Sequence, residues 1–531
     1  MSDDRTAPDE HGDEPVEETP AEAAAEQAPS EDAPAHDAPI DETSADDPST
    51  EETRGDDADE PTVDLATDVT ATDREAAAIE AAERARGVEP RSVGLWGLRA
   101  TAGVAVVALG LLGVVAAPSL PMVQADPRIA SVAPDAPEEV RTCAGPLLAI
   151  GDASGDAGAI GVLAQAQLQA ASDEQDAASV AGVDATATVL RGTDVSGAEW
   201  LSVDDDTAFG AAASACVEPA TTQWLVGGST TTGRSSVLTI ANPGTTATSV
   251  DVEVHGTDGR IDAVGSTGIA IAAGSVVLVD LASLAPGVAS PVVHVTSTGG
   301  PVSAHLQHRV VRTLQPGGVD VVDPSQASRS IAIPGVTIGD ATGLQTQAGF
   351  EDAVPALRVL AGESTQVTIT TISDGGDPIA STLDLVGDQV SEVDLSGLAP
   401  GTYAFTIESD VPIVAAARQI RVDGDRIDLD WVQGQSAPIE GSTTVAIAAG
   451  PSPRLHLLNV GDDPQTVTIG GGFEVVVAPD ELATVEVGGG VTTTIEADDV
   501  VAAVTYAGSE GIGGYAITPR IAAREGIDVV L

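Results

Sequence analysis

The side chains with which this chain could do chemistry are few, and most of them are acids. Net charge is −60, from 82 Asp and Glu against 22 basic residues, every one of them arginine. His294, His305 and His308 flank Gly299-Gly300, where a hairpin would set them on adjacent strands, and imidazoles gathered across strands bind zinc or copper. Two features weigh against a metal. His305 and His308, three apart in a strand, point to opposite faces, and in related segments downstream their places are taken by Ala416 and Val504, and by Gln419 and Ala507. Asp204-Asp205-Asp206 and the series Asp423, Asp425, Asp428 and Asp430 offer oxygens for calcium, yet neither follows the twelve-residue loop with its closing Glu, and so acidic a chain produces such groups by composition. There is no Gly-x-Ser-x-Gly elbow, and the lack of lysine rules out a phosphate-binding Gly-x-x-x-x-Gly-Lys loop. The sequence therefore assigns no catalytic, cofactor-binding or metal-binding residue. Polyanions are repelled, which disfavours nucleic acid as a partner.

The two cysteines, Cys143 and Cys216, both follow an apolar segment whose flanks place them outside the cell, so a disulfide is expected between them. Closing a loop of about 73 residues is worth roughly 4–5 kcal/mol in the chain-entropy model. The apolar segment runs uncharged from Ala100 to Ala117 and, with Leu95 to Leu98, is long enough to cross a bilayer as a helix. Arg84, Arg86, Arg91 and Arg99 precede it and no cation follows before Arg128, which puts the N-terminus in the cytoplasm. A cleaved signal ending at Val123-Gln124-Ala125 is the rival reading. The run exceeds a signal core and about a hundred residues precede it, which favours an uncleaved signal anchor. Residues 1–72, poor in large apolar side chains, read as a disordered acidic tail. Residues 73–92 read as a juxtamembrane helix capped by Asp73 and closed by Gly87, 93–117 as the transmembrane helix, and 118–139 as a stalk broken by Pro127, Pro134 and Pro137.

From Ser236 onward, short runs of Val, Ile, Leu and Thr alternate with Gly, Pro, Asn and Asp, the punctuation of an all-β fold. Val250, Val252 and Val254 alternate with Asp251, Glu253 and His255, and Tyr403, Phe405 and Ile407 with Ala404, Thr406 and Glu408, giving one dry and one wet face. Asp258-Gly259, Asp374-Gly375 and, more weakly, Gly461-Asp462 are turn signals. The segment from Val279 to Gly287, VDLASLAPG, recurs from Val393 to Gly401 as VDLSGLAPG, and Leu238 to Asn242 resembles Leu455 to Asn459. The expected fold is thus a tandem array of immunoglobulin-like β-sandwich units, a rod with the Pro-Gly pair carrying the chain between sheets. The first sandwich domain, with the disulfide, is expected over 140–330, the second over 331–430 and the third over 431–531. Within the first, residues 140–220 have no assigned place beyond their cysteine tie.

Several stretches carry a resemblance: Cys216-Val217-Glu218-Pro219, Trp224-Leu225-Val226-Gly227-Gly228, Ala241-Asn242-Pro243-Gly244, Gly317-Gly318-Val319-Asp320 and Ile333-Pro334-Gly335-Val336. They resemble an actinobacterial family of exported, membrane-anchored proteins with a domain of unknown function. The resemblance covers roughly residues 140–530 and implies an envelope location and repeated β-sandwiches. Its motifs are turn and packing signals, so it supplies no reaction and no site residues. The expected function is a single-pass plasma-membrane protein whose extracellular sandwich array acts as a structural, adhesion or assembly scaffold, not an enzyme, with an envelope protein or cell-wall glycan as partner. The alternative, an exported enzyme or enzyme partner acting on cell-wall glycan, calls for a cleft with paired carboxylates about 5–10 Å apart and a tryptophan.

Overall fold

Valine and isoleucine at alternate positions, interrupted every few residues by Gly, Asn or Asp, drive this chain into strand after strand, and four β-hairpins organise the result. The computed structural model describes residues 129–132, 138–151, 159–312, 315–340, 343–350, 352–519 and 527–530, all within the compact unit Gln124–Leu531. The acidic tail, the juxtamembrane helix and the transmembrane helix expected over 1–117 lie outside the described residues. Among the described residues no helix is long and apolar enough to cross a membrane. Ile129–Val132, placed by the sequence in a stalk, pairs antiparallel with Ile527–Val530.

The hairpins are β1 (Ser196–Asp204) with β2 (Phe209–Ala215), β3 (Ser303–Arg312) with β4 (Gln315–Val322), β5 (Gly401–Asp423) with β6 (Arg426–Gln433), and β7 (Val491–Gly508) with β8 (Gly511–Ile517). They end four units in chain order, the first over residues 139–217, the second over 222–322, the third over 328–433 and the last over 439–517, and the last three share one topology. In the third unit the long strand β5 belongs to two packed layers. Its first half pairs with Ser328–Ile338 and Thr365–Ser373, and its second half with Ala356–Ala361 and β6. In the last unit β7 does the same with Ile439–Ile447 and Gln465–Ile469, then with Arg454–Asn459 and β8. In the second unit the long strand is cut by Gly299-Gly300-Pro301 into Val292–Thr298, in one layer, and β3, in the other. The structure is all-β with sandwiched sheets, as the alternation predicts.

The repeated motifs have structural jobs. Asp280 and Asp394 each accept a backbone N–H two residues on, from Ala282 and Ser396, which turns the chain as it leaves one layer for the other. Leu281 and Leu395, the next residues, are buried plugs. Asn242 and Asn459 end equivalent strands, and each accepts the amide two residues on, Gly244 or Gly461, while donating to two carbonyls, Thr246 and Ile271 or Asp463 and Val477. Asp258-Gly259 and Asp374-Gly375 do close hairpins. Gly461-Asp462 instead connects strands in different layers, because Asn459 holds the chain in a wider turn. Val250, Val252 and Val254 are buried as expected, and so are Tyr403, Phe405 and Ile407. Ala404 and His255 depart from the wet-face assignment. Ala404 packs on Leu458, Leu482 and Val501 of the last unit, and His255 lies against Trp224 and Asp388.

Residues 139–217 have a place beyond their cysteines. Glu139–Thr142, Thr186–Gly192 and Glu174–Val180 extend the sheet of β3, the last of them joining it through a parallel contact with Ser275–Asp280. The β1–β2 hairpin packs elsewhere, its Trp200, Ala211 and Ala213 lying in the core of the last unit beside Tyr506 and Tyr515. The disulfide joins Cys143 to Cys216, with Cα atoms 4.0 Å apart, beside a bridge between Thr142 and Val217. Bridges at Trp224–Ser325 and Ala332–Gln435 fall in the same place in the next two units.

The rod expected from the repeats is a closed arrangement instead. β2, β4, β6 and β8 pack side by side in a cycle, with β8 of the last unit against β2 of the first. The second and third units also share a core, in which Trp431, Leu360 and Val414 meet Leu225, Val226 and Leu306. Closure follows from burial: β2, β4, β6 and β8, which end the units, are buried on both faces along nearly their whole length, so none is left to water.

Candidate functional site

Because no backbone ladder joins β2, β4, β6 and β8 to one another, their inward N–H groups need other acceptors. Buried carboxylates supply them. Asp428, on β6, accepts from Ala211 on β2 (3.0 Å), Val319 on β4 (3.2 Å) and Ile512 on β8 (2.8 Å), so one carboxylate binds the other three strands of the cycle. Gly210 and Gly511 give it room, since a methyl at either position would run into the Asp428 carboxylate. Farther along the same axis, Asp320 accepts from Trp431 N at 3.1 Å, and Asp430 accepts from Gly514 N at 3.0 Å and Gln419 Nε2 at 2.6 Å. Asp323 takes Ser214 Oγ at 2.6 Å and Ala215 N at 2.9 Å, and Glu199 takes Gly145 N at 2.9 Å.

Water is excluded from this axis, and Asp320 and Asp430 have no exposed surface. Burial pushes Glu199 and Asp428 up to about 8 and Asp323 up to about 7, against the downward pull of the N–H and hydroxyl donors. Asp320 is raised by burial and then by the charge of neighbouring Asp430, and Asp430 is itself pushed up to about 6 by burial. Their hydrogen-bonding capacity goes to backbone amides and, at Asp323 and Asp430, also to the Ser214 hydroxyl and the Gln419 amide.

The residues singled out by the sequence do not converge. His294 stacks on Trp224, with ring centroids 3.9 Å apart, and contacts Thr222 and Glu253 in one layer. His305 and His308 are buried on β3 in the other layer, each kept neutral by that burial, at about 4 and about 3. His305 lies 3.8 Å from Asp323, whereas neither ring nitrogen of His308 has a hydrogen-bond partner among the described residues. Asp205 caps its own turn through Thr207 and Ala208, and Asp204 pairs with Arg426 at 2.9 Å. Asp423 and Asp425 are exposed at the β5–β6 turn while Asp428 and Asp430 are in the axis, so this series is split between two environments. Among the described residues no three His, Cys, Asp or Glu side chains are grouped to hold a metal ion.

One feature open to solvent stands apart. A cleft of about 550 Å³ lies between the end of β5, the strand Arg454–Asn459 and the end of β7. Arg421 and Arg454 flank it, and Gln419, Ser452, His456 and Thr505 line it. His456 bridges Thr484 (3.0 Å) and Thr505 (2.7 Å) and is neutral, at about 4, because it is buried. Gln419 is fixed at both ends, accepting Thr337 N and donating to Asp430, so the cleft wall is tied to the axis. Sequence reasoning missed the axis because Glu199, Asp320 and Asp323 look like solvent-facing acids. The available signal was acids alternating with large apolar residues in strands with no wet face, as in Val319-Asp320-Val321 and Asp428-Leu429-Asp430-Trp431.

Residues 169–498 match a family of unknown function (DUF5719). The chain belongs to this family. The DUF5719 segment holds β1 to β6, with Asp320, Asp428 and Asp430, while β8, whose amides complete the axis, follows it. No curated protein matches the chain. Among solved structures, a Thermotoga maritima protein (1070) is 17% identical, aligning over 21% of this chain and 97% of its own at a TM-score of 0.19. A tetra-tandem repeat from the extending region of a large adhesion protein is 13% identical, aligning over 73% of this chain and 92% of its own at a TM-score of 0.10. At those scores neither defines the fold.

Proposed function

We propose that this DUF5719 protein is a non-enzymatic scaffold of an actinobacterial cell envelope. A single helix near residues 93–117 holds it in the plasma membrane with its N-terminus cytoplasmic, and its sandwich units, of the immunoglobulin-like class, face outward. The observation that carries the reading is the fate of the acids. The deeply buried carboxylates of the axis are bound to backbone amides from different units, an arrangement that fixes architecture and spends those acids on it. The accessible cleft adds no catalytic pair among the described residues, where Asp340 is the one carboxylate of its lining and no tryptophan lines it.

Two measurements on intact cells test this. Protease should digest the chain beyond Pro118 and spare the acidic first ninety residues, and cross-linking should recover a fixed envelope neighbour. The reverse digestion pattern overturns the orientation. Turnover of a cell-wall glycan that vanishes when one carboxylate is replaced by its amide overturns the scaffold.

A further inference from the structure

We propose that the cleft between β5 and β7 is a binding site for an acidic saccharide, a sugar chain carrying carboxylates. This goes beyond the scaffold reading and does not depend on it. Beyond Arg99 the chain carries 52 acids and only 15 arginines, yet two of those arginines, Arg421 and Arg454, line this one concave surface, with Asp340 in the lining and Asp423 and Glu486 beside the guanidiniums. Arg421 comes no closer than 3.8 Å to Asp423, and Arg454 no closer than 3.9 Å to Glu486. Both distances exceed hydrogen-bond length, and neither guanidinium makes a hydrogen bond among the described residues. Each therefore presents its planar fork of donors, the geometry that grips a carboxylate through two parallel bonds.

The rest of the lining selects what carries the anion. Ser452, Thr505, Gln419 and His456 line the space with polar groups, and a cavity of about 550 Å³ suits a short oligomer more than a bare ion. The walls are largely faces of β5, β7 and Arg454–Asn459, whose edges are already paired, so an extended peptide has no ladder to join there. Tyr506, the one aromatic residue of the lining, is buried with its hydroxyl on Tyr515, so a nucleobase has no open stacking face. His456 and Gln419 are pinned by their partners, so the lining is formed before any ligand arrives.

The test is calorimetric titration of the full chain with trigalacturonate, maltotriose and inorganic phosphate. Trigalacturonate should bind at least about tenfold more tightly than maltotriose or phosphate. Arg421→Ala with Arg454→Ala should weaken it at least about tenfold while leaving the thermal midpoint within about 2 °C, since both side chains are partly exposed. Arg421→Lys with Arg454→Lys keeps the charge, and should recover only part of the affinity because the forked geometry is lost. Equal binding of maltotriose, tighter binding of phosphate, undiminished binding by the double alanine variant, or no binding of trigalacturonate would each overturn the proposal. A chain that cross-links to an envelope neighbour yet ignores trigalacturonate keeps the scaffold and loses the saccharide.

Discussion

Asp423 and Asp428 lie on the same hairpin, five residues apart, and share neither environment nor work. Asp423 sits at the turn in water, paired loosely with Arg421 at 3.8 Å. Asp428 is 1% exposed and takes amides from three other strands. The difference lies in what surrounds each acid. At the turn the backbone groups are solvated, so a carboxylate adds little, whereas at the axis four strands meet without a ladder and the carboxylate replaces the missing acceptors.

The largest break in that contrast is Asp428→Ala. It orphans the amides of Ala211, Val319 and Ile512, and at roughly 1–3 kcal/mol for each buried, unmet group the chain should lose about 3–9 kcal/mol in urea unfolding. A loss below about 1 kcal/mol would mean that the strands find other acceptors. Next is Cys143→Ser with Cys216→Ser, which leaves the axis intact but frees the first unit from a constraint spanning 73 residues. About 2–4 kcal/mol should go. If the double variant loses more than Asp428→Ala, the crosslink and not the axis holds the first hairpin.

The pH dependence ranks third. Glu199, Asp428 and Asp323 have folded values raised to about 8, 8 and 7, so above pH 4 the folded chain retains protons that the unfolded chain has released. Their contribution is complete on the acid side and is lost as pH rises through 7 to 8. His305, His308 and His456, depressed by burial, act in the opposite sense, but only below about 6.5. Asp352 and Glu392, drawn down to about 2 by arginines despite burial, matter only below about 4. Between pH 6.5 and 8.5 stability should therefore fall, on the order of 2 kcal/mol, seen as a lower thermal midpoint. A midpoint that rises over that window would show the axis to be ionised. Smallest is Asp423→Ala, expected within about 0.5 kcal/mol of the parent. A larger loss would erase the distinction between the two acids.

Much of the architecture is legible in the residues. The VDL repeats, the two Asn-terminated strands and the cysteine pair announce themselves because each job is local or needs a rare residue type. Closure is not legible. Val319 and Ile512 read as ordinary strand residues, and that their amides point at one carboxylate depends on contacts between units, which no periodicity encodes. The same holds for Arg421 and Arg454, separated in sequence and brought to one cleft by the third and last units.

The bond from Ala211 to Asp428 spans 217 residues, and that from Asp428 to Ile512 another 84. A chain made from its N-terminus completes β1 and β2 long before the strands that cover them exist. Until Tyr506 and Tyr515 are available, Trp200 and the alanines of β2 lack the aromatic rings they pack against. Such long-range closure slows folding and exposes strand surface in the interval. The last hairpin is thus the step that commits the whole chain, and a ribosome that pauses before it leaves the first hairpin uncovered.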